Sequence, residues 1–554
     1  MDADPRDGRH APDLHAPTGD EGTRSSKPIP SISGRERRRF IHGALGLAGA
    51  VGLPLLCACG GGGEGASPAP APEPGPGADL QAPALVSSTP QADAVGVARG
   101  TAIELRFSEA VNIPAGAVTL TGPRGVEKAA LALASAEGAT VATLTPSARL
   151  GFGQKYTVHV SSAVRDAAGN ALTPVESRFT TVARDTRLEL GGIMMDTYVR
   201  RRWSPSGSNA FNALPPLVDN GLEWLRAAVT THSWPELRNT SDWATLGWRD
   251  EYWSCLEVTG ALMREAADLG MRLHAVLFLS DTAADWGRQH LPAQWQGLGA
   301  SALAAAVEAH ARDVALYYQS LNLPVEVFEI GNEIDAGAFG RVIWDTVPVP
   351  DGVDPFQDPA WMRSQLWAPV APLLRAAIQG VRSVYPAAQI CLHVSGLGYS
   401  PDDRAASDFF ESMEALGVPF DIAGLSYPYM AFDQGLPQPF FESPRFDHAL
   451  QRVSAMGRPI HIVEMGYNAK PEGVLATPSP RYPFTSMGQA DYLRDFARRI
   501  RGRVKRLIAF YPDWYDGFAP DAPELEGLGL FSAPNVPRPA LGIFNEIAEG
   551  TLFE

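Results

Sequence analysis

The chain is poor in cysteine. It has four in 554 residues, with Cys57 and Cys59 close together and Cys255 and Cys391 far apart. None stands at metal-ligand spacing, which argues against a zinc module and against a disulfide-rich scaffold. The two distant thiols are expected to be buried and free. Positive charge is also short: 46 Lys and Arg face 62 Asp and Glu, a net charge of −16. Proteins that read a phosphate backbone carry the opposite sign, so no nucleic acid partner is expected. No Gly-rich phosphate loop follows any strand-like run, which weakens an open doubly wound sheet. No carboxylate-rich loop has calcium-binding spacing, and no metal or cofactor is called for.

What is present is globular chemistry, 45% hydrophobic and 19% charged, over a length that implies several domains. Residues 1–34 are rich in Pro, Gly, Asp, Arg and Ser without apolar period and read as disordered. A basic stretch then leads into an apolar run from about Gly43 to Leu56, of signal-peptide length and too short to span a bilayer comfortably. Arg37-Arg38-x-Phe40-Ile41 resembles a twin-arginine signal. Leu56-Cys57-Ala58-Cys59 resembles a bacterial lipobox, which implies cleavage before Cys59 and lipid on its thiol. The expected divisions are an export signal over 1–59, a Gly/Pro/Ala tether over 60–81, a β-sandwich over 82–183 and a large domain over 184–554. The product expected is an exported, membrane-anchored lipoprotein that acts as a monomer.

Residues 82–183 show short alternating segments such as 101–107 and 156–160, separated by turn residues, the pattern of a small sandwich. Phe107-Ser108-Glu109-Ala110-Val111, Leu144-Thr145-Pro146, Asp166-Ala167-Ala168-Gly169-Asn170 and Phe179-Thr180-Thr181 resemble bacterial Ig-like domains. A spacer with few contacts to its neighbour is expected here. Asp166–Asn170 reads as a tight turn with Gly169 or Asn170 at positive φ.

In the large domain, eight near-continuous apolar runs fall at 188–196, 224–230, 273–280, 325–333, 390–395, 421–427, 460–464 and 507–514. Such runs suit parallel strands covered on both faces. Helical spacing separates them; Leu303, Val307, Ala311, Val314 and Tyr318 share one face. The α/β fold class expected is a (β/α)8 TIM barrel after an all-β Ig-like sandwich. In such barrels the site lies at the strands' C-terminal ends. Two runs close on glutamate there, Glu333 and Glu464. A carboxylate ending an apolar strand is costly unless paired, and two of them converging on one mouth suggest the carboxylate pair of glycoside hydrolysis.

Ile330-Gly331-Asn332-Glu333-Ile334, Ser280-Asp281-Thr282 with Ala284-Asp285, the segment Phe420 to Tyr427 and Ser486-Met487-Gly488-Gln489 resemble glycoside hydrolase family 53, the endo-β-1,4-galactanases. The resemblance implies a retaining hydrolase of a β-linked, galactan-like polysaccharide. It implies Glu333 as acid/base and Glu464 as nucleophile, with Arg226 below Glu464. Tyr427 would hydrogen-bond Glu464, Asn332 would meet a sugar hydroxyl, and His393 would line the pocket. Asp281, Asp285, Trp295 and Trp514 join as substrate contacts, with Trp234, Trp253 and Trp286 as further stacking candidates. Where the family has polar or aromatic residues, this chain has Ala228, Thr230, Phe278, Leu279 and Ala283. A second reading follows from those departures: a catalytically impaired, surface-tethered carbohydrate-binding protein.

Overall fold

A computed structural model describes residues 79–193, 211–231, 254–281, 284, 289–397, 403–428, 438–471, 480–518 and 527–553. Cys59, the tether up to residue 78, Trp234, Trp253, Trp286 and Asp285 lie outside them.

Residues 85–181 form the sandwich. A four-stranded antiparallel sheet faces a five-stranded one, with one small two-stranded ribbon beside them. Alternation does the work expected of it: in Ile103–Phe107 positions 103, 105 and 107 are buried and 104 is exposed. These side chains join Leu120, Leu144, Val158 and Phe179 in a core separate from the barrel's. At Asp166–Asn170 the aspartate accepts from the Asn170 backbone and side-chain amides at 2.8 and 2.7 Å, and Gly169 sits at φ +94°.

Eight parallel strands close the barrel: β1 Glu189–Ile193, β2 Trp224–Val229, β3 Arg272–Leu277, β4 Val325–Ile330, β5 Gln389–Val394, β6 Ile422–Pro428, β7 Ile460–Gly466 and β8 Arg506–Ala509. Every one falls on an expected run. The fourth ends earlier than its apolar run, because Gly331 turns left-handed at φ +77° and a Cβ there would meet Ile334 Cγ2 at 2.4 Å. The helix Ala300–Ser320 buries Val307, Ala311, Val314 and Tyr318 on one face. It packs closely on Ala368–Arg382 at Gly380, where a Cβ would come 2.3 Å from the Glu308 carbonyl. Cys255 and Cys391 are buried free thiols.

The sandwich is more than a spacer with few contacts. Arg99, 4% exposed, donates from Nε to the Leu150 carbonyl at 2.5 Å within the sandwich. Its Nη1 reaches the barrel's Asp219 carbonyl at 3.0 Å and Asn545 Oδ1 at 3.1 Å. The Arg149 amide donates to the Asp219 carboxylate at 3.0 Å, and Phe152 lies between the guanidiniums of Arg99 and Arg184. Arg99→Ala strands these acceptors, each worth about 1–3 kcal/mol when buried and unpaired. We expect a loss of about 2–3 kcal/mol in chemical denaturation, with separate sandwich and barrel transitions in place of one. A single transition at the parental midpoint would contradict that role.

Candidate active site

Alternation along the barrel strands puts polar groups where an apolar interior would otherwise be. Arg226 on β2, His274 on β3, Glu329 on β4, His393 on β5 and Ser426 on β6 point inward, and all are at most 2% exposed. Arg226 is the hub. Its Nε and Nη2 donate to the two oxygens of Glu329 at 3.0 and 2.5 Å. Nη1 donates to Glu464 Oε1 at 2.8 Å, and Nη2 also reaches Asn332 Oδ1 at 2.6 Å. His274 Nε2 and His393 Nδ1 each stand 3.0 Å from a Glu329 oxygen.

Burial alone would raise the Glu329 pKa. The charge of Arg226 and the close approach of both histidines more than reverse that, and hold it well below the usual carboxylate range. Arg226 is likewise desolvated, yet Glu329 and Glu464 drive its pKa up. Burial pushes His274 down to about 4, so it is neutral near pH 7.

Two local devices present the glutamates. After β4, Gly331-Asn332-Glu333 forms a turn with Glu333 itself at φ +49°, a conformation that costs a non-glycine residue about 1–2 kcal/mol. The turn is strapped to both neighbours: the Gly331 amide donates to the Leu277 carbonyl and the Ile334 amide to the His393 carbonyl. Asn332 donates to the Ala284 carbonyl at 2.8 Å, and Gln289 donates to the Asn332 carbonyl at 2.7 Å. Between β6 and β7 the register slips: Leu425 faces Ile462, but Ser426 faces Glu464. Such an irregularity re-aims a side chain. Glu464 thus lies level with Ser426, whose hydroxyl is 2.6 Å from Glu333 Oε1 and 2.8 Å from His393 Nε2. Glu333 is 7% exposed and the Glu464 side chain 13%. The two carboxylates therefore belong to one hydrogen-bonded network, Glu464–Arg226–Asn332–His393–Ser426–Glu333.

Several expected contacts are corrected. Tyr427 follows the inward Ser426, so strand alternation sends it outward. Its buried ring stacks on Phe496 at 4.8 Å and packs edge-on against Phe446, among the helices. Trp295 is buried beneath its loop, edge-on to His310. Trp514 is fully buried, stacked on Tyr511 and packed against Phe518. His393 is fully buried and engaged with protein groups rather than lining an open pocket, and both ends of the Asn332 amide meet protein partners. Asp281 is partly exposed at the end of β3. Sequence reasoning passed over Glu329, His274 and Ser426. The available signal was a charged or polar residue inside an otherwise apolar parallel strand.

Known proteins add the family. A model described as glycosyl hydrolase family 53 matches residues 206–544. The chain belongs to that family. It is a glycoside hydrolase with a TIM barrel, preceded by a bacterial Ig-like domain matched over residues 79–181. An uncharacterized protein of Niallia circulans is 29% identical over 278 residues, 49% of this chain and 70% of that one. The arabinogalactan endo-β-1,4-galactanase A of Aspergillus niger is 24% identical over 271 residues, 47% of this chain and 69% of that one. The solved family 53 catalytic domain of Ignisphaera aggregans superposes with a TM-score of 0.50 at 19% identity, covering 66% of this chain and 97% of that domain, a likeness of fold. In this member of family 53, the wall after β3 is apolar: Phe278 and Leu279 are buried there, Leu279 at φ +56°.

Proposed function

We propose that the protein is a retaining hydrolase of β-1,4-linked galactan, with Glu333 as acid/base and Glu464 as nucleophile. The observation that carries this reading is the network that joins the two carboxylates, with a guanidinium on Glu464 and a hydroxyl on Glu333. Glu464 accepts from the Arg226 guanidinium at 2.8 Å, which fixes a cation beside the group that has to attack. Glu333 meets the Ser426 hydroxyl at 2.6 Å, a partner that serves either protonation state. Double displacement needs such a division: one carboxylate stays charged and attacks the anomeric carbon, the other gives a proton to the leaving oxygen and later takes one from water. The substrate class rests on the galactanase relatives. A lipid on Cys59 would hold the enzyme at a bacterial membrane surface.

The test is hydrolysis of a polysaccharide panel, with galactan beside xylan, mannan and β-glucan, by wild type and Glu464→Gln. The expected result is release of galacto-oligosaccharides by wild type only. Turnover of another β-linked polymer would move the substrate assignment, and equal inactivity of both proteins on every polymer would favour a binding role.

A further inference from the structure

The hydrogen-bonded path from Glu333 ends on a buried titratable group that double displacement does not require. His393 Nδ1 is 3.0 Å from Glu329 Oε1 and 3.0 Å from Asn332 Oδ1. The Asn332 amide is oriented by its partners, since Oδ1 accepts from Arg226 and Nδ2 donates to the Ala284 carbonyl. Nδ1 thus faces two acceptors and carries a hydrogen. His393 Nε2 is 2.8 Å from Ser426 Oγ, which is 2.6 Å from Glu333 Oε1. A serine hydroxyl has one hydrogen to donate.

With one mobile proton in this path, two arrangements satisfy the Ser426 hydroxyl and His393 Nε2. In the first, protonated Glu333 donates to Ser426 Oγ and the Ser426 hydroxyl donates to neutral His393 at Nε2. In the second, charged His393 donates from Nε2 to Ser426 Oγ and the Ser426 hydroxyl donates to the Glu333 carboxylate. The two interconvert when His393 passes its Nε2 proton to Ser426 Oγ while Ser426 passes its own to Glu333. No charge is gained or lost, and the Nδ1–H bond to Glu329 persists throughout.

We propose that Glu333 and His393 share the catalytic proton through Ser426, so that the acid/base group is the Glu333–Ser426–His393 unit. Ser426 and His393 are positioning residues: neither touches the sugar, and both act through Glu333. The groups around His393 permit both states. Arg226 and Glu329 face it from β2 and β4 as opposite charges, His274 approaches the same Glu329 from β3, Asp335 lies beyond the β4 turn, and Glu464 on β7 is neutralised by Arg226. Glu329, held ionised, stabilises the charged histidine; Arg226 opposes it. In the acid step Glu333 delivers the proton. In the base step it takes one from the attacking water, which restores the shared state.

The inference rests on Glu333 being the acid/base, and one experiment separates the two claims. kcat/KM is measured against pH on galactan and on an aryl galactoside of an acidic phenol, while the His393 ring nitrogens are followed by 15N NMR. In wild type the alkaline limb of kcat/KM and the His393 titration should share a midpoint, because coupled groups titrate as a pair. Glu333→Gln should abolish that step in the His393 signal. Ser426→Ala should separate the two midpoints by more than about half a pH unit and lower kcat/KM on galactan about tenfold. On the aryl galactoside, which needs little acid assistance, the loss should stay within about threefold. Ser426→Thr, which retains the hydroxyl, should restore the shared midpoint. A His393 titration that ignores Glu333→Gln, or midpoints that already differ in wild type, overturns the relay. Full galactan activity in Glu333→Ala overturns the acid/base assignment and the relay with it.

Discussion

Glu464→Ala is expected to lower turnover about 10⁴-fold or more on every substrate, because no covalent glycosyl-enzyme can form. Glu333→Ala should behave differently. On galactan it loses the proton for the leaving oxygen, worth about 10²–10⁴-fold. On an aryl glycoside of an acidic phenol the first step survives, a burst of phenol appears, and the glycosyl-enzyme accumulates for want of a base. Azide separates the two defects by stereochemistry. In Glu464→Ala it occupies the vacated side of the sugar and attacks once, so a β-linked substrate yields an α-glycosyl azide. In Glu333→Ala it attacks the covalent intermediate from the face that water uses, so the product is the β-azide. NMR of the two azides checks the assignment. If both variants give the same anomer, or if wild type releases an inverted sugar, the double-displacement roles of Glu333 and Glu464 are wrong.

The residues that take part in this scheme were unequally visible in the sequence. The eight strands showed because parallel strands buried on both faces read as apolar runs whatever their neighbours. Glu333 and Glu464 showed because each interrupts the apolar texture at the end of a run. Glu329 interrupts it too, but inside a run, and its tolerance depends on Arg226, His274 and His393, which come from three other strands. No local pattern states that they meet. The slip that sets Glu464 beside Ser426 is a property of two paired strands, and neither shows it alone. Tyr427 was misjudged for a related reason. An aromatic near a strand end has the same composition whether it faces a sugar or a helix, and only the direction of the neighbouring side chain, inward Ser426 for Tyr427, settles which. The contacts of Arg99 were hidden because its acceptors lie 120 and 446 positions away in the chain.

Removing the cation at the centre of the network should do more damage than removing either catalytic glutamate does to the fold. Arg226→Met keeps the approximate volume and deletes the charge, leaving Glu329 fully buried without its principal counter-ion. Such breakage of a buried pair costs about 3–5 kcal/mol. The pH dependence of the Glu329 contribution should change sign as well. In the wild type Glu329 has a depressed pKa, so its contribution is present above the unfolded value near 4.3 and is lost as pH falls through the folded value. In Arg226→Met, burial is no longer opposed by the guanidinium and the Glu329 pKa rises. Its contribution is then present below about 4.3 and is lost as pH climbs through the raised value. Denaturant melts from pH 4 to pH 7 should therefore show wild-type stability rising slightly and the variant falling further behind it as pH climbs. His274 adds to the wild-type rise, since its folded pKa of about 4 lies below the unfolded one. The double variant Arg226→Met with Glu329→Gln removes the uncompensated carboxylate and should recover much of the lost stability. It should not recover turnover, because Glu464 still lacks its cation. Recovery of both would show that Arg226 serves Glu329 alone and that the nucleophile does not depend on it.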